Sequence, residues 1–174
     1  PGYVKEHGYK FFPALLYGLL KGVNETGEFK YRVLDEGVVK YDRIGASITV
    51  PIEGDLFAFC QVEYKENFQE FLQEVAAKQE EAKRQTELVG NERFDVVWVS
   101  CAPWGAFTSV RVPTADRRMR SIPVITVGKY YASEGKTLLP VALKVTHALI
   151  DGFHIGKLFT HFENSFKAPE KIFQ

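Results

Sequence analysis

The chain reads Val145-Thr146-His147-Ala148-Leu149-Ile150-Asp151-Gly152-Phe153-His154 where a predicted strand gives way to a predicted helix. An apolar run from Leu138 to Val145, broken only by Lys144, predicts a buried strand that ends at Thr146. Histidine is the side chain best suited to moving protons near neutral pH. The end of a buried strand is a place from which a rigid scaffold can aim such a group.

Outward from this stretch, helices and strands mix without a regular alternation. Helices are predicted over residues 10–23, residues 66–87 and from about Phe153 onwards, each with an apolar face at helical spacing. Further strands are predicted over residues 29–34, 37–42, 44–51, 57–64, 94–100, 107–112 and 122–130. This order predicts an α+β fold in which helices cover a sheet, rather than a doubly wound parallel fold.

Composition limits the class of protein. The 174 residues suit one domain with a sizeable core, and Lys+Arg and Asp+Glu both number 22, so no polyanionic partner is indicated. No apolar segment has the length of a membrane span. Cys60 and Cys101 form no metal-type pair and are compatible with a reducing cytoplasm. The 14 Phe and 8 Tyr residues indicate either a subunit interface with an apolar pocket or simply a Phe-rich core.

Taken alone, the histidine motif leaves several interpretations open. A histidine after a strand is more often a satisfied structural residue than a catalyst, and Asp151 before Gly152 is typical of a helix cap. A metal site of His147, Asp151, His154 and His161 would need one continuous helix, which Gly152 and the preceding strand disfavour. We therefore expect no metal.

Five stretches in chain order resemble the chloramphenicol acetyltransferases, a branch of the CoA-dependent acyltransferases. They are the histidine motif itself, Lys10-Phe11-Phe12-Pro13, Phe57 after an acidic turn, Pro103-Trp104-Gly105-Ala106-Phe107-Thr108-Ser109, and Thr126-Val127-Gly128-Lys129-Tyr130. The resemblance extends over essentially the whole chain. It implies a two-layer α/β sandwich with a mixed sheet.

The resemblance also implies roles at the reacting centre. His147 corresponds to a general base that takes the proton of an acceptor hydroxyl as that oxygen attacks the thioester of acetyl-CoA. Ser109 corresponds to a hydroxyl that stabilises the oxyanion, and Thr126 to a residue that holds a water nearby. Transfer in this family is direct, within a ternary complex, so Ser109 is not expected to be a nucleophile.

Binding roles follow from the same resemblance. Lys10, Lys129 and Tyr130 correspond to contacts with acetyl-CoA, two with phosphate and one with the adenine ring. Phe57 and Phe107 correspond to the acceptor pocket, although filling the core is an equal alternative for both. Family members are homotrimers with active sites at subunit interfaces, so we expect a trimer. We expect it to be cytoplasmic, to acetylate chloramphenicol or a similar alcohol, and thereby to confer antibiotic resistance.

Asp151 corresponds to a structural carboxylate that pairs with an arginine on an N-terminal segment. Residues 1–9 contain no arginine, so we expect a single acetyltransferase domain that lacks this segment. Two alternatives remain: a non-catalytic trimeric binding protein of the same fold, and a dihydrolipoyl acyltransferase core, which the Thr146-His147-Ala148 sequence and the Pro103-Trp104 stretch disfavour.

Overall fold

A computed structural model describes residues 2–87, 90, 93–113 and 118–173. The helices are α1 (Gly2–Glu6), α2 (Phe11–Glu25), α3 (Phe68–Ala82) and α4 (Gly152–Lys167), with short 3-10 turns at Gly27–Lys30, Arg118–Ser121 and Pro169–Lys171. The strands are β1 (Tyr31–Leu34), β2 (Gly37–Lys40), β3 (Gly45–Ile52), β4 (Leu56–Val62), β5 (Val96–Ala102), β6 (Val124–Gly128), β7 (Tyr131–Ser133), β8 (Lys136–Leu138) and β9 (Val141–Lys144).

The central sheet has five strands in the order β4-β3-β5-β6-β9. β3, β5 and β6 run parallel, and the two outer pairs, β3–β4 and β6–β9, are antiparallel. Two separate hairpins, β1–β2 and β7–β8, complete the described strands. The mixed sheet with helices confirms the predicted α+β class.

Strand periodicity gives the sheet two different faces. Alternate residues such as Ala46, Ile48, Val99 and Ile125 are buried in one core with the apolar sides of α2, α3 and α4. The residues between them point to the opposite side, where Thr49, Pro51 and Ser100 remain exposed. We call this second surface the open face of the sheet, and it carries Thr126.

Most predicted helices and strands are confirmed, with shifts of a few residues at their ends. The helix predicted over 66–87 begins at Phe68 because the Asn67 side chain accepts a hydrogen bond from the Glu70 amide at 3.0 Å. It ends at Ala82, where the charged half no longer supplies apolar side chains to the core.

Two strand predictions are wrong. Residues 107–112 form no strand, although they are rich in β-branched and apolar residues. The strand predicted over 138–146 is divided into β8 and β9, because Pro140 has no N–H for a ladder and its carbonyl instead accepts from the Gly128 amide at 2.9 Å. His147 therefore follows the strand by three residues instead of ending it.

Arg32 fastens the β1–β2 hairpin to the start of β5. Its side chain is completely buried and donates hydrogen bonds of 2.7–2.8 Å to four backbone carbonyls, those of Phe29, Tyr31, Phe94 and Val96. Desolvation lowers the pKa of this guanidinium to about 10. A buried cation is tolerated here because all four partners are strong acceptors.

Among the described residues, no helix is long and apolar enough to span a membrane.

Candidate active site

His147 lies in a tight turn between β9 and α4. The amides of Leu149 and Ile150 both donate to the Thr146 carbonyl, at 3.0 and 3.1 Å, which closes the turn. The Thr146 hydroxyl donates to the Arg120 carbonyl at 2.5 Å and so anchors the turn to the 3-10 segment before β6. The imidazole of His147 is exposed, and its Nδ1 faces the Ile150 carbonyl oxygen at 3.5 Å. A carbonyl only accepts, so this contact favours a proton on Nδ1 and a free lone pair on Nε2.

Asp151 begins α4 as its N-cap. One carboxylate oxygen accepts hydrogen bonds from the amides of Phe153 at 2.9 Å and His154 at 3.3 Å. These hydrogen bonds, first the one from His154, lower the pKa of the carboxyl. Asp151 is exposed, and its neighbours among the described residues are the helix amides and the His154 ring. The arginine partner that the family resemblance implies stays a prediction.

Thr126 lies in the middle of β6 on the open face. It is opposite Ser100 of β5 and Ala142 of β9, and only 8% of it is exposed. Ser100 was not anticipated from sequence, because a serine in an apolar strand carries no signal until the register places it beside Thr126.

The segment that contains Ser109 crosses the end of β6 as irregular chain. The Gly105 carbonyl accepts from the Lys129 amide at 2.8 Å, and Phe107 packs directly over Gly128. A Cβ at Gly128 would lie 2.9 Å from the Phe107 ring and 3.1 Å from the Gly105 oxygen, so only glycine allows this approach. Ser109 is exposed two residues further along.

His147 and the Phe107 segment are attached to opposite ends of β6. Lys144, at the end of β9, pairs with Val124, whereas Phe107 covers Gly128. Four residue steps along the strand, from Val124 to Gly128, separate these ends by about 13 Å. Within one chain, His147, the proposed base, and Phe107, a proposed acceptor-pocket residue, therefore lie near opposite ends of β6.

A cleft of about 770 Å³ lies between the start of α2, the β7–β8 hairpin and α4. The Tyr130 ring, 53% exposed, borders it and contacts the Phe11 ring with centroids 5.9 Å apart. Lys136 and Lys167 stand at its border, and Phe159 and Phe162 line it. The sequence did not predict that these α4 and hairpin residues line one cleft, because they come together only through tertiary packing.

The remaining predicted residues are exposed at separate places. Lys10 occupies the N-cap position of α2 without capping it, and Lys129 directly precedes Tyr130. Phe57 is 44% exposed at the end of the open face, where its ring contacts that of Phe59 with centroids 5.6 Å apart. Phe57 is thus not a fully buried core residue in this chain.

Comparisons with known proteins agree on one family. Residues 2–163 match the family described as chloramphenicol acetyltransferase. A chloramphenicol acetyltransferase from Proteus mirabilis is 32% identical over 166 residues, covering 92% of this chain and 75% of the relative. One from Escherichia coli is 34% identical over 166 residues, with 92% and 74% covered. A solved chloramphenicol acetyltransferase superposes with a TM-score of 0.86 at 28% identity, over 94% of this chain and 80% of that one.

More distant structures share the fold. The truncated catalytic core of a 2-oxoacid dehydrogenase multienzyme complex from Thermoplasma acidophilum superposes with a TM-score of 0.72 at 14% identity. This likeness, over 97% of this chain and 79% of the other, concerns the architecture alone.

Proposed function

The chain belongs to the chloramphenicol acetyltransferase family, a family of acyltransferases, and on this premise we propose that it moves the acetyl group of acetyl-CoA onto a hydroxyl of chloramphenicol or a similar alcohol. The observation that best supports the proposal is the exposure of the His147 ring and the surroundings of its two nitrogens. Its ring is exposed in a turn held at both ends, with Nδ1 directed at a carbonyl and Nε2 left available to accept a proton.

Direct transfer needs one base and one oxyanion donor. His147 Nε2 takes the proton of the acceptor hydroxyl while that oxygen bonds to the thioester carbon. The carbonyl electrons move to its oxygen, and the oxyanion then collapses to expel the CoA thiolate, which receives the proton back from the imidazolium. General-base help of this kind contributes about 10²–10⁴-fold.

Ser109 and Thr126 are the proposed polar partners of that oxyanion. The Ser109 hydroxyl is exposed and can donate to it, and loss of such a donor costs about 10²–10³ in turnover. The nearly buried hydroxyl of Thr126 can hold a water on the open face, next to Ser100.

The cleft beside Tyr130 fits the nucleotide end of acetyl-CoA. An exposed aromatic ring supports adenine stacking, and Lys136 lines the cleft. Lys10 and Lys129 directly precede Phe11 and Tyr130 in the chain, so we propose them as further phosphate contacts. The apolar lining from α4 suits the pantetheine arm.

We propose a homotrimer whose active sites lie between subunits. His147 and the Phe107 segment are attached to opposite ends of β6, so a neighbouring subunit can bring its Phe107 and Phe57 to the histidine of the first. The exposed apolar side chains support such an interface: Trp104 is 85% exposed, Phe153 69% and Leu56 58%. A cytoplasmic location is supported by Cys60 and Cys101, which are both free thiols.

The test is release of CoA thiol from acetyl-CoA in the presence of chloramphenicol. We expect saturable release and its loss in the His147→Ala variant. Release should be retained in His161→Ala, a matched change in α4, where the ring pairs with Glu25. Analytical ultracentrifugation should give three times the protomer mass. A folded trimer that binds acetyl-CoA but releases no thiol would establish the non-catalytic alternative.

A further inference from the structure

His154 closes an unusual helix start beside the His147 turn. It occupies the third position of α4, where capping boxes normally carry Glu or Gln. Its Nδ1 lies 3.1 Å from the Asp151 amide, which donates to it, and 3.0 Å from a carboxylate oxygen of the same residue, while that oxygen accepts from the His154 amide. An Nδ1 that accepts from the amide leaves the ring proton on Nε2, the nitrogen that faces Glu28. On the other side of the ring, Nε2 lies 3.5 Å from a carboxylate oxygen of Glu28. The imidazole is therefore held between the helix start and the 3-10 turn after α2.

The peptide group between Ile150 and Asp151 touches both imidazoles. Its carbonyl, on Ile150, faces Nδ1 of His147 at 3.5 Å, and its N–H, on Asp151, donates to Nδ1 of His154 at 3.1 Å. In a planar trans peptide these two groups point in opposite directions and rotate together. The ring that fixes the N–H thereby also fixes the carbonyl.

We infer that His154 is a positioning residue for His147, acting through the Ile150–Asp151 peptide. By holding the N–H, His154 aims the Ile150 carbonyl at Nδ1 of His147. That carbonyl keeps the proton on Nδ1 and the lone pair on Nε2, the tautomer a general base needs. Glu28 holds His154 in turn, so the turn after α2 is coupled to the reacting ring. The inference rests on the proposed role of His147 as the base.

Three substitutions test this coupling. His154→Leu removes both ring nitrogens at similar volume, and we expect kcat to fall at least about tenfold, the lower end of what loss of an outer partner costs a working histidine in metal sites. KM for both substrates should stay within about twofold, because the substrates do not touch His154. His154→Gln supplies the usual capping acceptor and a donor toward Glu28, so it should restore most of kcat. Glu28→Gln is the mildest change and should lower kcat less.

His161→Gln is the matched control. His161 lies on the same helix and forms a similar pair with a glutamate, Nδ1 to Glu25 at 2.9 Å, about two helical turns away from the helix start. Its kcat should equal that of the unmodified protein. If His154→Leu is folded and trimeric, has the same kcat as this control and leaves the proton of His147 on the same ring nitrogen, the inference is overturned.

A second readout does not require turnover. Two-bond proton–nitrogen spectra of histidine-labelled protein report which ring nitrogen of His147 carries the proton. The inference expects the Nδ1–H pattern to weaken in His154→Leu and to return in His154→Gln. An unchanged pattern in the folded His154→Leu protein overturns it. A changed pattern without any effect on kcat instead supports the coupling and shows that the proposed base is wrong.

Discussion

Replacement of Arg32 by methionine should remove one of the largest single contributions to the stability of this fold. The guanidinium donates to four carbonyls, and methionine keeps most of the side-chain length while donating to none. A buried acceptor left unsatisfied costs about 1–3 kcal/mol. The bonds to Phe29 and Val96 are buried, and those to Tyr31 and Phe94 are half-buried. Each carbonyl oxygen has two lone pairs, so the lower end applies; about 1 kcal/mol for each buried carbonyl and about half of that for each half-buried one give a loss of about 3 kcal/mol.

The measurement is equilibrium unfolding in urea, followed by fluorescence at two protein concentrations so that dissociation of subunits is separated from unfolding. Arg43→Met is the matched control, because its guanidinium is half-exposed and lies 3.4 Å from an exposed Glu66. We expect that control to lose less than about 1 kcal/mol. Arg32→Lys keeps the charge but fewer donors, and should fall between the two.

A loss of less than about 1 kcal/mol for Arg32→Met, with an unchanged dependence on urea, would refute the reasoning. It would mean that the four carbonyls find other partners or water when the guanidinium is removed. The other explanation would be that the cost of desolvating the Arg32 guanidinium, seen in its lowered pKa, cancels the stabilisation by the four hydrogen bonds.

Three further changes give distinct outcomes. Gly128→Ala should lower the free energy of unfolding in urea by about 1–3 kcal/mol and raise KM for chloramphenicol, because the new methyl group would lie 2.9 Å from the Phe107 ring. Gly156→Ala is the control, because open space surrounds Gly156, and it should be neutral or stabilising. Tyr130→Ala should raise KM for acetyl-CoA about 5- to 150-fold, which corresponds to the roughly 1–3 kcal/mol of one stacked base, and Tyr131→Ala should leave it unchanged. The pKa of Asp151 is lowered in the fold, so its contribution to stability is complete above the ordinary value of 3.8 and is lost as the pH falls through the lowered pKa. Asp151→Asn should abolish that part of the acid dependence of unfolding; an acid dependence identical to that of the unmodified protein would contradict the cap.

The sequence predicted helices and strands well where their signals are local. The apolar stripe of α2 with Pro13 in its first turn, and the turn at Gly37 between β1 and β2, depend on neighbouring residues only. The segment over 107–112 was predicted wrongly because its β-branched residues favour a strand, whereas in the structure this segment crosses the end of β6 and packs Phe107 over Gly128. Long-range pairing of this kind is not encoded in periodicity.

The candidate site divides in the same way. His147, Ser109 and Thr126 could be picked out from the sequence by residue type and order. The chain's membership of the family is shown, whereas the roles of these three residues are proposals. The cap made by Asp151 was recognised as one alternative, but its use of His154 was not, because that motif normally carries Glu or Gln. The cleft beside Tyr130 required residues from α2, the β7–β8 hairpin and α4, which no local pattern joins.

The outer strand β9 also affects how the protein behaves in concentrated solution. An unpaired strand edge offers backbone donors and acceptors on which foreign chains can template aggregation. Within residues 2–87, 90, 93–113 and 118–173, β9 pairs with a strand on one side only. It has only four residues, it follows a proline that has no donor, and it carries a lysine at its last position. Each of these features discourages sheet growth. The edge nearest the His147 turn is thus built to resist self-association into fibrils, and lengthening it, for example by replacing Pro140, should make the protein more prone to precipitate.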